Sequence, residues 1–201
     1  MFSELKRRLK KITIPLILST LIVPAFADSK KSTDVTGFLS GGLTFGGDTL
    51  GTVVYDDGDT ENIKAGEFFF FSGGVLATQD NFQLQGSIGY YSDEANADNG
   101  DVGFTRIPLE FLTFWKQEKF RLGGGLTYHV DPEFEIDLDG DPNNGKVKFD
   151  DALGFVVQAD YLFDNGFTLG VRYTAIDYEY SDIDAEDVDG SSTGVVLGYI
   201  F

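Results

Sequence analysis

Eight segments of the chain alternate apolar with small or polar residues, and the connectors between them alternate between short and long. The segments are Val35 to Gly46, Gly66 to Thr78, Phe82 to Tyr91, Gly103 to Trp115, Phe120 to Val130, Ala152 to Phe163, Phe167 to Ile176 and Ser192 to Phe201. A period of two sends successive side chains to opposite faces of a β-strand, and about ten residues is the length a tilted strand needs to cross a bilayer. Gln79-Asp80-Asn81, 116–119 and Asp164-Asn165-Gly166 suit tight hairpin turns, whereas 47–65, 92–102, 131–151 and 177–191 are long and polar. This rhythm predicts an all-β chain, an eight-stranded antiparallel transmembrane up-and-down β-barrel with turns at one end and loops at the other.

The two faces of each segment differ in kind. Phe120, Leu122, Gly124, Leu126, Tyr128 and Val130 alternate with Arg121, Gly123, Gly125, Thr127 and His129. Leu153, Phe155, Val157, Ala159, Tyr161 and Phe163 oppose Ala152, Gly154, Val156, Gln158, Asp160 and Leu162. The same split runs through Phe167 to Ile176 and Phe82 to Tyr91, while four consecutive Phe at 68–71 hide the phase of their segment. A soluble antiparallel sandwich or ligand-binding barrel would also alternate, but its outer face would carry Lys and Glu. Here those residues sit in the connectors, so the apolar face suits lipid and the Gly-rich polar face a narrow interior.

Composition enters as a set of exclusions. With 25 Gly, 19 Phe and 9 Tyr but one Met, the chain favours extended segments and turns over a helical bundle. No stretch after residue 27 is apolar and long enough for a membrane helix. The formal charge of −18 opposes nucleic-acid binding. Without Cys there is no disulfide framework, thiolate metal site or cysteine nucleophile.

The first 27 residues stand apart. Lys6, Arg7, Arg8, Lys10 and Lys11 precede the apolar run Ile12 to Pro24, which closes on Ala25-Phe26-Ala27. That order predicts a secretory signal peptide over 1–27, cleaved before Asp28, then a short periplasmic segment at 28–34 and the barrel domain at 35–201. The four long connectors hold 24 of the 32 acidic residues that follow residue 27. Such density belongs in water, outside the cell, where it could attract the divalent cations that bridge lipopolysaccharide phosphates.

At the C-terminus, Val195, Leu197, Tyr199 and Phe201 form an alternating apolar series ending in Phe. This series resembles the C-terminal assembly signal of bacterial outer-membrane barrels. With the signal peptide and the strand rhythm, the mature chain as a whole resembles small barrels typified by OmpA and OmpX, or the broader porin-like outer-membrane barrel domain. The resemblance implies residence in a Gram-negative outer membrane, contact with lipid and lipopolysaccharide, and delivery by the barrel-assembly machinery. It implies no function, because this architecture hosts structural proteins, adhesins, carriers and enzymes.

Three chemistries remain to be weighed. Some small outer-membrane barrels modify lipid A with a His, a Ser and an acidic residue, but His129 is the one His, it falls on the interior face, and no Ser-centred elbow accompanies it. The expectation is a non-catalytic lumen histidine, no enzyme activity and no cofactor. Asp137, Asp139 and Asp141 space three carboxylates as a calcium loop opens, yet Pro142 and Lys148 stand where its Gly and Glu belong, so a solvated acidic loop is the reading. Conduction is the third, and an eight-stranded barrel is about wide enough for its own side chains to fill. The interior face carries Arg106, Glu110, Arg121, Asp160 and Arg172. Placed by distance from their turns, Glu110, Arg121, Asp160 and Arg172 are expected to form one connected ion-pair cluster that plugs the lumen. The sequence therefore points to a monomer with a structural or cell-surface interaction role, with a narrow passive pore or small-ligand carrier next, and a lipid A-modifying enzyme third.

Overall fold

The computed structural model describes residues 32–54, 59–97, 100–138, 144–181 and 185–201. Residues 1–27, expected as a signal peptide, and Asp139 and Asp141 lie outside them. Among the described residues, thirteen strands run in chain order: β1 (Asp34–Gly46), β2 (Thr49–Val54), β3 (Thr60–Lys64), β4 (Phe68–Gln79), β5 (Phe82–Ala97), β6 (Gly100–Gln117), β7 (Phe120–Leu138), β8 (Gly145–Lys148), β9 (Ala152–Leu162), β10 (Phe167–Ala175), β11 (Asp177–Tyr178), β12 (Val188–Asp189) and β13 (Ser192–Ile200). Eight of them hydrogen-bond in the order β6-β5-β4-β1-β13-β10-β9-β7, and a β6–β7 pairing closes the ring. The first and last strands meet antiparallel, from Phe38 opposite Ile200 to Gly46 opposite Ser192. The result is a closed eight-stranded antiparallel barrel, whose strands have no free edge.

Each expected segment becomes one barrel strand, and the short connectors become turns. Asp80 and Glu118 take positive φ (51° each) at two of the turns, and Gly166 (φ 88°) at the third. The outward face exposes Phe120, Leu122, Phe155, Val157, Leu169, Val171 and Leu197 around the wall. Water would not tolerate so continuous an apolar girdle, whereas hydrocarbon requires it. Within the four-Phe run, Phe69 and Phe71 are about half exposed, and Phe70 between them is buried in the interior.

The long connectors differ from the expectation of irregular polar loops. β5 and β6 continue their ladder to Ala97 opposite Gly100, so 92–97 and 100–102 belong to two overlong paired strands. β7 runs to Leu138, and β8 pairs with its outer part, from Glu133 opposite Lys148 to Ile136 opposite Gly145. β8 thus takes up the edge of β7 that β9 leaves. β2 pairs with β3, and β11 with β12. The inward residues of these extensions, Ile63, Ala95, Val102, Phe104, Phe134, Phe149, Ile176, Tyr178 and Val188, pack into one apolar core at the loop end. The acidic residues between them obscure this alternation in the sequence.

Candidate functional site

The barrel interior is where the polar side chains converge, and it is layered. Nearest the turns, Arg121 lies directly across from Asp160 on β9. Its Nε donates to Asp160 Oδ2 at 2.6 Å, and Gln158 Nε2 donates to both carboxylate oxygens at 3.0 Å. The Arg121 guanidinium lies 4.3 Å from the centre of the Phe114 ring. Gly170, opposite Asp160 on β10, leaves the carboxylate its place, since a Cβ there would fall 1.9 Å from Oδ1. Leu112, Phe114 and Val156 form an apolar cluster within the wall, all of them fully buried.

In the next layer Arg172 reaches across the lumen to Glu110. Nη1 donates to Oε2 at 3.1 Å and Nη2 donates to Oε1, a two-pronged pairing that suits guanidinium and carboxylate geometry. Both side chains are 3 % exposed. Arg172 Nε also donates to Thr174 Oγ1 at 3.3 Å, and the guanidinium sits 5.7 Å from the Phe70 ring centre. The four residues expected as one cluster are therefore all buried and paired, but they form two separate pairs. The reason is register: Arg172 faces Gln158, and Asp160 already has a direct cross-strand partner in Arg121.

The layer nearest the loops holds groups that the expected cluster left out. Arg106 is 2 % exposed, lies over the rings of Tyr91 (5.2 Å) and Phe104 (4.8 Å), and donates from Nη2 to the Glu67 carbonyl at 3.3 Å. His129 faces inward beside it, with Nδ1 2.7 Å from the Tyr178 hydroxyl on β11. Its ring also meets Tyr91 edge-on at 5.6 Å between centroids. Tyr178 lies in the loop-end core, where burial pushes its hydroxyl up to about 12, against the pull of the nearby Arg106 charge. Among the described residues, neither a Ser nor a carboxylate hydrogen-bonds His129.

The acidic extensions carry their own pairings. Glu133 accepts from Lys146 (2.8 Å) and Lys148 (3.1 Å), and these two cations hold its carboxyl below the usual carboxylate range. Asp137, the one described member of the carboxylate triplet, accepts weakly from Asn144 Nδ2 at 3.4 Å. Asn144 binds chiefly the backbone of Leu138, accepting from its N at 2.8 Å and donating to its O at 2.7 Å. Among the described residues no three His, Asp or Glu side chains are grouped to hold a metal ion. The C-terminal series Val195, Leu197, Tyr199 and Phe201 faces outward, with Tyr199 tilted against Phe167 at 5.0 Å and stacked on Phe201 at 6.4 Å between ring centres.

A family model described as an outer membrane protein beta-barrel domain matches residues 13–201. Among solved structures, the chain is similar to Neisserial surface protein A, at 10 % identity over 85 % of this chain and 97 % of that one, TM-score 0.47. It is similar also to the outer membrane protein AlkL, at 15 % identity over 83 % of this chain and 90 % of that one, TM-score 0.41. The outer membrane channel DcaP of Acinetobacter baumannii matches at 8 % identity over 85 % and 97 % of the two chains, TM-score 0.25. No curated protein matches the chain.

Proposed function

Because the chain belongs to the outer membrane protein beta-barrel domain family, we propose that it serves as a non-conducting barrel that displays a structured acidic surface outside the cell. In this reading the N-terminal segment is a signal peptide that exports the chain, the short turns face the periplasm, and the overlong strands project outward. The C-terminal aromatic series addresses the chain to the assembly machinery. The barrel works as a monomer in contact with lipopolysaccharide, and its role is structural or interactive, without catalysis.

The observation that supports this best is the filling of the interior along its length. Arg121 with Asp160 and Arg172 with Glu110 hold two levels. The apolar core formed by the extensions covers the loop end. A permeating ion would have to displace paired buried charges and then cross an apolar layer, both of which oppose conduction. Outside, the remaining carboxylates offer oxygen ligands to the divalent cations of the lipopolysaccharide layer.

Planar-bilayer recording of the refolded mature chain tests this reading. The expected trace is flat at the voltages porins tolerate. Reproducible unit currents would replace it with the narrow-pore reading.

A further inference from the structure

The hairpin of β2 and β3 stands apart from the barrel wall. Among the described residues its strands pair only with each other, from Thr49 opposite Lys64 to Val54 opposite Thr60. It joins the wall through two short legs, and both contain glycine. Gly46 (φ 136°) and Gly47 (φ 82°) lead in from β1, and Ala65 and Gly66 lead out to β4. The legs pass close to one another. A Cβ on Gly47 would lie 2.3 Å from the Gly66 nitrogen, and one on Gly66 would lie 2.7 Å from the Gly190 carbonyl oxygen. Positive φ and this close approach both select glycine, so the hairpin meets the barrel at one narrow neck.

Beyond the neck the hairpin lies over the loop end. Ile63 is fully buried in the loop-end core, Leu50 and Val53 pack against it, and Gly51 approaches the Phe134 ring of β7. Hydrogen bonds fasten the neck itself on three sides. Asp93 of β5 accepts the Lys64 N–H at 2.7 Å, and Arg106 of β6 donates from Nη2 to the Glu67 carbonyl at 3.3 Å. Asp48 donates its N–H to the Asp189 carbonyl at 2.7 Å, and its Oδ2 accepts the Asp189 N–H at 2.9 Å. An apolar cover on a polar, glycine-built neck has the form of a hinged lid.

Asp93 is the titratable member of the fastening on the wall side. It is 5 % exposed, and Glu61 and Lys64 of β3, Glu67 of the second leg and Arg106 of β6 surround it. Burial, helped by the charges of Glu67 and Glu61, raises its carboxyl above the usual 3.8, against the Lys64 N–H and the Arg106 charge, which lower it. An open lid returns Asp93 to water and to its usual value, so the closed form binds the proton more tightly. That contribution to closure is complete below 3.8 and is lost as pH rises through the raised value.

We propose that the β2–β3 hairpin is a lid that swings on the glycine neck over the loop-end core, with Asp93 as its pH-sensitive latch, held shut in acid and partly released towards neutrality. The movement concerns the cover alone. The two lumen ion pairs below it belong to the wall strands and stay in place.

The test uses the mature chain refolded in lipid vesicles. Because the chain has no native Cys, two spin labels report on the lid, one at Thr52→Cys on the hairpin and one at Glu94→Cys on the β5 extension, both exposed positions. Double electron–electron resonance gives the distance distribution between them from pH 3 to pH 8. One distance should dominate in acid, and a second, longer one should grow as pH rises. With one proton involved, the open-to-closed ratio should change by at most about tenfold per pH unit. Asp93→Asn is neutral and still accepts the Lys64 N–H, so its distribution should stay at the acid limit at every pH. A single distance across the whole range overturns the lid. A longer distance that ignores pH, or that grows equally in Asp93→Asn, overturns the latch. The wild-type titration decides by itself where Asp93→Asn does not fold.

Discussion

Replacing Glu110 by Ala removes the carboxylate from one of the two buried lumen pairs. Arg172 then keeps the Thr174 hydroxyl at 3.3 Å and the face of Phe70 at 5.7 Å, neither of which carries the opposing charge. With both members 3 % exposed, bulk water has little access to the stranded guanidinium. Breaking a buried pair in this way costs about 3–5 kcal/mol, against about 0.2–1 kcal/mol for a pair on the surface. Arg172→Ala should cost a similar amount by stranding Glu110. A Glu110→Leu/Arg172→Met double variant should recover most of the loss, because well-packed apolar replacement of a buried pair is often close to neutral. Reversible urea unfolding in lipid vesicles, followed by the fluorescence of the single Trp, Trp115, measures each variant. Single losses below about 1 kcal/mol, or a double variant that simply adds the two, would refute the reasoning, since they would place the pair in water.

Gly170→Ala should push the Asp160 carboxylate off Arg121, because the new methyl would lie 1.9 Å from Oδ1 and 2.7 Å from the Ala159 carbonyl. Overpacking of this kind costs about 1–3 kcal/mol, and the same urea assay reads it. The β7–β8 hairpin should loosen in acid. Glu133 has a folded value depressed from 4.5 by Lys146 and Lys148, so its contribution is complete above pH 4.5 and disappears as pH falls through the lower folded value. Amide exchange at Val147 should speed up there, and Glu133→Gln should remove that pH dependence. Trp115 lies opposite Phe82 on the outward face at the turn end, so lipid-borne quenchers should act most strongly near the headgroups. Strongest quenching at the bilayer centre would contradict the strand placement.

The barrel wall is legible in the sequence because lipid on one side and a narrow lumen on the other force a period of two, and residues such as Leu122, Arg121 and Phe120 reveal their face by type. The extensions are harder to read. Ala95, Val102, Phe134 and Ile136 keep the same period, but Glu94, Asp101, Glu133 and Glu135 alternate with them and Asp93 stands on their own buried face, so the stretch reads as loop. The pairing of lumen charges depends on register between strands distant in sequence. Arg121 meets Asp160 across the β7–β9 ladder, which 131–151 separates, and Glu110 meets Arg172 across the open width of the barrel. Neither distance is written in a local pattern. Arg106 is legible as an interior residue, but its place in the loop-end layer is not, because it is set by a bulge at Asp131–Pro132 whose only sequence trace is Pro132.

The central claim is a lumen closed to water under a structured outer surface, and cysteine labelling tests it most directly because the chain has no native Cys. Three single-cysteine variants suffice: Thr127→Cys in the lumen, where the native side chain is fully buried, Leu122→Cys on the apolar outer wall, and Glu135→Cys on the β7 extension. A membrane-impermeant maleimide added to intact cells should modify Glu135→Cys rapidly. It should leave Thr127→Cys untouched until the barrel is unfolded, and Leu122→Cys should react only with a lipid-soluble reagent. Labelling of Thr127→Cys at the rate of Glu135→Cys would show a lumen open to water and contradict the account.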